Sequence, residues 1–128
     1  MTKHILQIVD GAYRVNLEEQ DDPAIWITHA MTGAGGKFSV LLQGNAVNYA
    51  VKAQDASGLR VGDWKQTQPV RLQDEVSKLL GKGVEVFIVD EDCGERGLER
   101  GEMISGLTSV ARSGLPALVA RFDQVWHW

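Results

Sequence analysis

One cysteine stands among 128 residues, Cys93, and its isolation removes two structural roles at once. A lone thiol cannot close an intrachain disulfide, and it cannot supply the several sulfur or nitrogen ligands of a structural zinc site. Clustered Lys and Arg are also missing. With 13 basic against 17 acidic residues and a net charge of -4, the chain lacks the phosphate-neutralising patch of a general nucleic-acid or membrane-surface binder. No apolar run approaches the roughly 20 residues that span a bilayer. The start, Met1-Thr2-Lys3-His4-Ile5-Leu6, enters a strand-like segment directly and does not read as a basic, apolar, small-residue signal. These features predict a soluble, cytoplasmic protein, and 44% hydrophobic content at this length predicts a single domain over residues 1–128.

Several chemical signatures are lacking too. Gly33-Ala34-Gly35-Gly36-Lys37 invites comparison with a phosphate loop, but that motif needs Gly at the place of Met31 and a hydroxyl at Phe38. The segment also follows a helix pattern and precedes a strand pattern, which reverses the order that aims helix amides at phosphate, so it reads as a helix end. His4, His29 and His127 have no ligand spacing among them and imply no metal. No G-x-S-x-G elbow exposes a serine nucleophile.

What is present is an alternation of short β-rich runs with longer amphipathic ones, the pattern of α/β proteins. Ile5 to Val9, Phe38 to Leu42, Val84 to Val89 and Asp123 to Trp128 read as strands. A polar stretch through Gln20 reads as a loop, and Asp21-Asp22-Pro23 as a helix start with an acidic cap and proline in the first turn. Gly44-Asn45 opens a short helix bearing Ala46, Val47, Ala50 and Val51. Asp55 to Gln68 reads as a surface loop. Pro69 is expected to begin a helix with an apolar stripe of Val70, Leu72, Val76, Leu79 and Leu80. A further helix is drawn from Gly106 through Ala120, with Pro116 interrupting it. Trp126 and Trp128, two apart, would point to one face, with His127 on the other. The predicted fold is a three-layer α/β/α sandwich around a mainly parallel sheet of about five strands.

Cys93 follows the third of these strands within Asp90-Glu91-Asp92-Cys93-Gly94-Glu95-Arg96-Gly97. The carboxyl ends of strands are where open α/β sheets place their ligands, so the position favours a working thiol. If Asp90 or Asp92 caps a short helix, Arg96 and Arg100 fall on the face of Cys93 and favour thiolate. Asp90, Glu91, Asp92 and Glu95 oppose them. A helix end contributes about 0.3 to 1 kcal/mol, and a nearby charge in water on the order of 1 kcal/mol, so the balance rests on side-chain directions.

Three pieces occur in a suggestive order: the strand Ile5 to Val9, the turn Val40-Leu41-Leu42-Gln43-Gly44-Asn45-Ala46-Val47, and Cys93-Gly94-Glu95-Arg96-Gly97-Leu98 followed by Ile104-Ser105-Gly106-Leu107. This arrangement resembles the DsrE/DsrF-like family of small sulfur-relay proteins, which serve tRNA 2-thiolation and intracellular sulfur oxidation. The resemblance implies a parallel-sheet domain that assembles into homo-oligomers, trimers or hexamers. It also implies that Cys93 accepts sulfane sulfur as a persulfide from a donor protein and passes it to an acceptor, with Arg96 nearest to stabilise the anion and no cofactor needed. The competing reading is a non-catalytic oligomeric module that binds a small ligand or protein. A nucleotide-binding α/β protein is a weaker third, for want of a phosphate loop.

Overall fold

In the computed structural model, which describes residues 2–14, 22–54 and 58–128, five strands form one all-parallel sheet. They are β1 (His4–Val9), β2 (Lys37–Leu42), β5 (Glu85–Val89), β6 (Thr108–Val110) and β7 (Gln124–His127), in the spatial order β6-β5-β2-β1-β7. Two very short strands, β3 (Arg60–Val61) and β4 (Trp64–Lys65), make a separate antiparallel hairpin inside the segment read as a loop. The helices are α1 (Pro23–Gly33), α2 (Leu72–Gly81), α3 (Asp90–Glu95) and α4 (Leu115–Val119), joined by a 3₁₀ segment over Gly44–Ala50.

The sheet has helices on both faces because its central strands are apolar on both. Val9, Val40, Leu42, Val86 and Ile88 face a core closed by Ala24 and Ile25 of α1, Val76 and Leu79 of α2, and Tyr49 of the 3₁₀ segment. Leu6, Ile8, Leu41, Phe87 and Val89 face the other side, where Leu118 of α4 packs beside the partly buried Phe122. Near-continuous burial along β2 and β5 is the mark of a parallel sheet covered twice. No helix among the described residues is long and apolar enough to cross a membrane.

Several boundaries follow local chemistry. Asp22 caps α1, its carboxylate accepting the Ala24 N–H at 2.8 Å, with Pro23 in the first turn as expected; residues 15–21 of the preceding stretch lie outside the described residues. After α1 the chain needs glycine at position 36, where a Cβ would sit 2.6 Å from the Phe38 ring and 2.8 Å from the Met31 carbonyl oxygen. The Gly33 to Gly36 stretch therefore ends a helix.

Two helical expectations change. Helix α2 starts at Leu72, three residues after Pro69, and Val70 packs against the core from outside the helix. The helix drawn from Gly106 to Ala120 is instead strand β6, a 3₁₀ turn at Arg112–Gly114 and the short α4. Pro116 does not interrupt α4, because it occupies the first turn, where its missing N–H has no intrahelical partner to lose.

Both terminal indoles reach the α1 side of the sheet. Trp126 meets Phe38 edge-on with ring centroids 5.7 Å apart, and Trp128 Nε1 donates to Gln7 Oε1 at 2.8 Å. Gln7 is fully buried and donates in turn to Thr28 Oγ1 at 3.2 Å, so one polar chain ties β7, β1 and α1 together. His127 pairs with Asp10 beyond the strand ends.

Candidate functional site

Strand β5 runs without a break into α3, and this junction sets Cys93 at the carboxyl end of the sheet. The helix has one and a half turns. Gly97, with φ of 67°, ends it by entering the left-handed region, which lets the Leu98 N–H turn back to the Cys93 carbonyl at 3.0 Å. The spacing from Cys93 to Gly97 is thus the geometry of a helix end that folds the following chain over the thiol.

That chain, from Leu98 to Leu107, is held at three points. Glu99 and Glu102 cap the 3₁₀ turn Arg100–Glu102 reciprocally. Met103 makes a bridge to Val51, the Lys52 N–H donates to the Glu102 carbonyl at 2.8 Å, and the Ile104 N–H donates to the Ala50 carbonyl at 2.8 Å. The resulting arch and the ends of β5 and β6 enclose a cavity of about 190 Å³. Cys93 is half-buried on its wall. Ile88, Leu98, Met103, Ile104 and Leu107 form the apolar lining, and Asp90, Arg100 and Ser109 the polar one.

The acidic run around Cys93 has specific duties. Asp92, almost fully buried, accepts the Gly44 N–H at 2.7 Å and Arg112 Nη2 at 2.6 Å, which fastens α3 to the turns after β2 and β6. Burial alone would raise its carboxyl, but the Gly44 and Arg112 hydrogen bonds prevail and hold it below the usual aspartate range. Glu91 accepts the Arg112 N–H at 2.8 Å, and Glu95 accepts from the Arg112 guanidinium at 3.1 Å. Asp90 is the member of the run that faces the cavity.

Arg96 is placed otherwise than a helical count suggests. It sits just past α3, and its guanidinium forks onto Asn45 Oδ1 at 2.9 and 3.0 Å and reaches the Asp92 carbonyl at 3.0 Å. It does not line the cavity. Arg100 does, arriving by the arch and not by continuation of α3. Burial pushes the Cys93 thiol above its ordinary value, Asp90 and Asp92 push it further, and the pulls of Arg100 and then Arg96 do not compensate. The thiol is therefore protonated at neutral pH.

The rate of Cys93 alkylation by iodoacetamide should rise about tenfold per pH unit between about pH 7 and pH 9, without levelling off, because only the thiolate reacts. A plateau below about pH 8 would reveal a thiolate that this electrostatic setting does not produce. Asp90→Asn should raise the rate several-fold at fixed pH.

Of the two site residues read from the sequence, Cys93 lines the cavity and Arg96 does not; Asp90 and Arg100, read only as charges acting on the thiol, line it, and Ser109 is missed. Thr108-Ser109-Val110 is too short a run to declare a strand, and the helix drawn over it hid the register that sets Ser109 opposite Ile88. The histidines are engaged separately, His4 with Ser39, His29 with the Glu75 carbonyl and His127 with Asp10. No group of three potential ligands gathers among the described residues.

The sequence matches no protein-family model and no curated protein. Two of the similar solved structures match over the whole of both chains. The crystal structure of the ychN protein from E. coli superposes with a TM-score of 0.71 at 16% identity, covering 100% of each chain. MTH1491 from Methanobacterium thermoautotrophicum, described as a protein of unknown function, superposes with a TM-score of 0.60 at 14% identity, again covering 100% of each. This chain shares their fold. Identities this low speak for architecture alone.

Proposed function

We propose that this is a sulfur-relay protein of the DsrE/DsrF-like type that carries sulfane sulfur as a persulfide on Cys93. The observation that supports it is the placement of the only thiol-bearing residue on the wall of a cavity at the carboxyl end of a parallel sheet. In the reaction the Cys93 thiolate attacks the outer sulfur of a donor R–S–SH. The donor S–S bond breaks, its electron pair leaves with R–S⁻, and Cys93 becomes Cys–S–SH. Attack by an acceptor thiolate on that terminal sulfur returns Cys93 to thiolate. No metal or organic cofactor enters either step.

Arg100 on the cavity wall and Arg96 behind α3 both favour the anion, Arg100 more strongly. Arg96 acts at a distance while holding Asn45. The reading is tested by intact-mass measurement after incubation with inorganic polysulfide: one sulfur atom per chain is expected, and an unchanged mass rejects it.

A second reading is favoured by the raised thiol. A cysteine kept protonated by burial and two carboxylates suits a binding module in which Cys93 is only a wall residue. Assembly belongs to either reading. We propose a homo-oligomer, trimer or hexamer, anchored by apolar side chains left open on the single chain: Trp26 is 58%, Val125 39% and Trp128 40% exposed. Light scattering should give a multiple of the chain mass at micromolar concentration. A monomer mass throughout would refute assembly.

A further inference from the structure

Three polar side chains on the cavity wall make no side-chain hydrogen bond or ion pair among the described residues. The carboxylate of Asp90 and the guanidinium of Arg100 are exposed and have no ion-pair partner among the described residues, although Arg96 and Arg112 nearby are both committed. The Ser109 hydroxyl oxygen is buried with no hydrogen-bond partner. Buried hydroxyls are seldom left unpaired, since the loss of water goes uncompensated. One carboxylate, one guanidinium and one hydroxyl around an otherwise apolar lining match the ends of a free amino acid: ammonium, carboxylate and a further polar atom. The cavity of about 190 Å³ has room for several water-sized groups. That suits a small amino acid.

We propose that the sulfur donor at Cys93 is a free, zwitterionic amino-acid persulfide, held with its carboxylate on Arg100 and its ammonium on Asp90. The inference rests on the carrier reading and narrows it from any persulfide to one chemical class. The Ser109 hydroxyl, whose oxygen is closed off from solvent, rotates toward the bound molecule to hydrogen-bond it, and Leu98, Met103 and Ile104 cover its hydrocarbon. Held so, the donor presents its outer sulfur to the Cys93 thiolate. Free amino-acid thiolate leaves, and charge and atoms balance as in the general exchange.

The test compares loading rates by intact mass for four probes: inorganic polysulfide, cysteine persulfide, N-acetylcysteine persulfide and cysteine methyl ester persulfide. Cysteine persulfide is expected to load about tenfold faster than either blocked form, the scale of one charge-assisted hydrogen bond. Asp90→Asn should erase the penalty of acetylation, and Arg100→Gln that of esterification. Ratios between probes cancel any change the variants make in thiol reactivity. If polysulfide loads Cys93 but the three organic persulfides load alike, the amino-acid inference is overturned and the carrier reading stands. If polysulfide also fails, both fall.

Discussion

Cys93→Ser is expected to reduce sulfur uptake from one atom per chain to none while leaving the fold unchanged. The hydroxyl is nearly isosteric with the thiol but far less nucleophilic, and sulfane transfer requires attack by a thiolate. The substitution should cost little stability. Cys93 is half-buried at the edge of the core, where a hydroxyl keeps access to the cavity, so the change should stay within about 1 kcal/mol. Circular dichroism and melting temperature report the fold, and intact mass after polysulfide treatment reports uptake. Arg96→Ala should slow uptake a few-fold without abolishing it, because Arg96 touches Asn45 and reaches the thiol only through its field. Uptake by the serine variant equal to that of the natural protein would transfer support to the binding-module reading.

The architecture was legible because parallel strands covered on both faces are apolar throughout. Phe38 to Leu42 and Val84 to Val89 could hardly be anything but central strands, and both are central. Cys93 was locatable by the same logic, as the thiol that follows such a strand. The failures share a cause. Strand β6 is three residues long and half-exposed, so neither period nor composition distinguishes it from a helix end; it exists because β5 offers an unpaired edge. Arg96 and Arg100 illustrate the same limit in the site. Helical spacing puts both on one face, but Gly97 ends the helix between them and sends the first to Asn45 and the second to the cavity. The acidic run looked hostile to a thiolate as a block. Only directions show that Glu91 and Asp92 bond Arg112 and Gly44 while Asp90 faces the cavity.

Asp22→Ala should lower stability by about 2 to 4 kcal/mol, the sum of a lost helix cap and a buried hydroxyl left without its partner. Asp22 is fully buried, with one carboxylate oxygen on the Ala24 N–H and the other accepting the Tyr49 hydroxyl at 2.6 Å, 3.5 Å from Arg14 Nε. Burial and the Asp22 carboxylate keep the Tyr49 phenol protonated far above its usual range, so the hydrogen bond persists at every working pH. For a domain of this size the melting temperature should fall by roughly 10 °C. Asp22→Asn retains a capping oxygen and should recover most of the loss. With Tyr49→Phe in the background, Asp22→Ala should cost less than it does alone, since the phenol it would orphan is gone. The effect should also reach Cys93. Tyr49 belongs to the Gly44–Ala50 segment, whose Ala50 carbonyl holds Ile104 and whose neighbour Val51 bridges Met103. Loosening Tyr49 therefore loosens the arch over the cavity, and polysulfide loading should change in Asp22→Ala at temperatures well below melting. A loading rate identical to that of the natural protein, or a melting temperature within about 2 °C of it, would show that the pair neither stabilises the fold nor positions the arch.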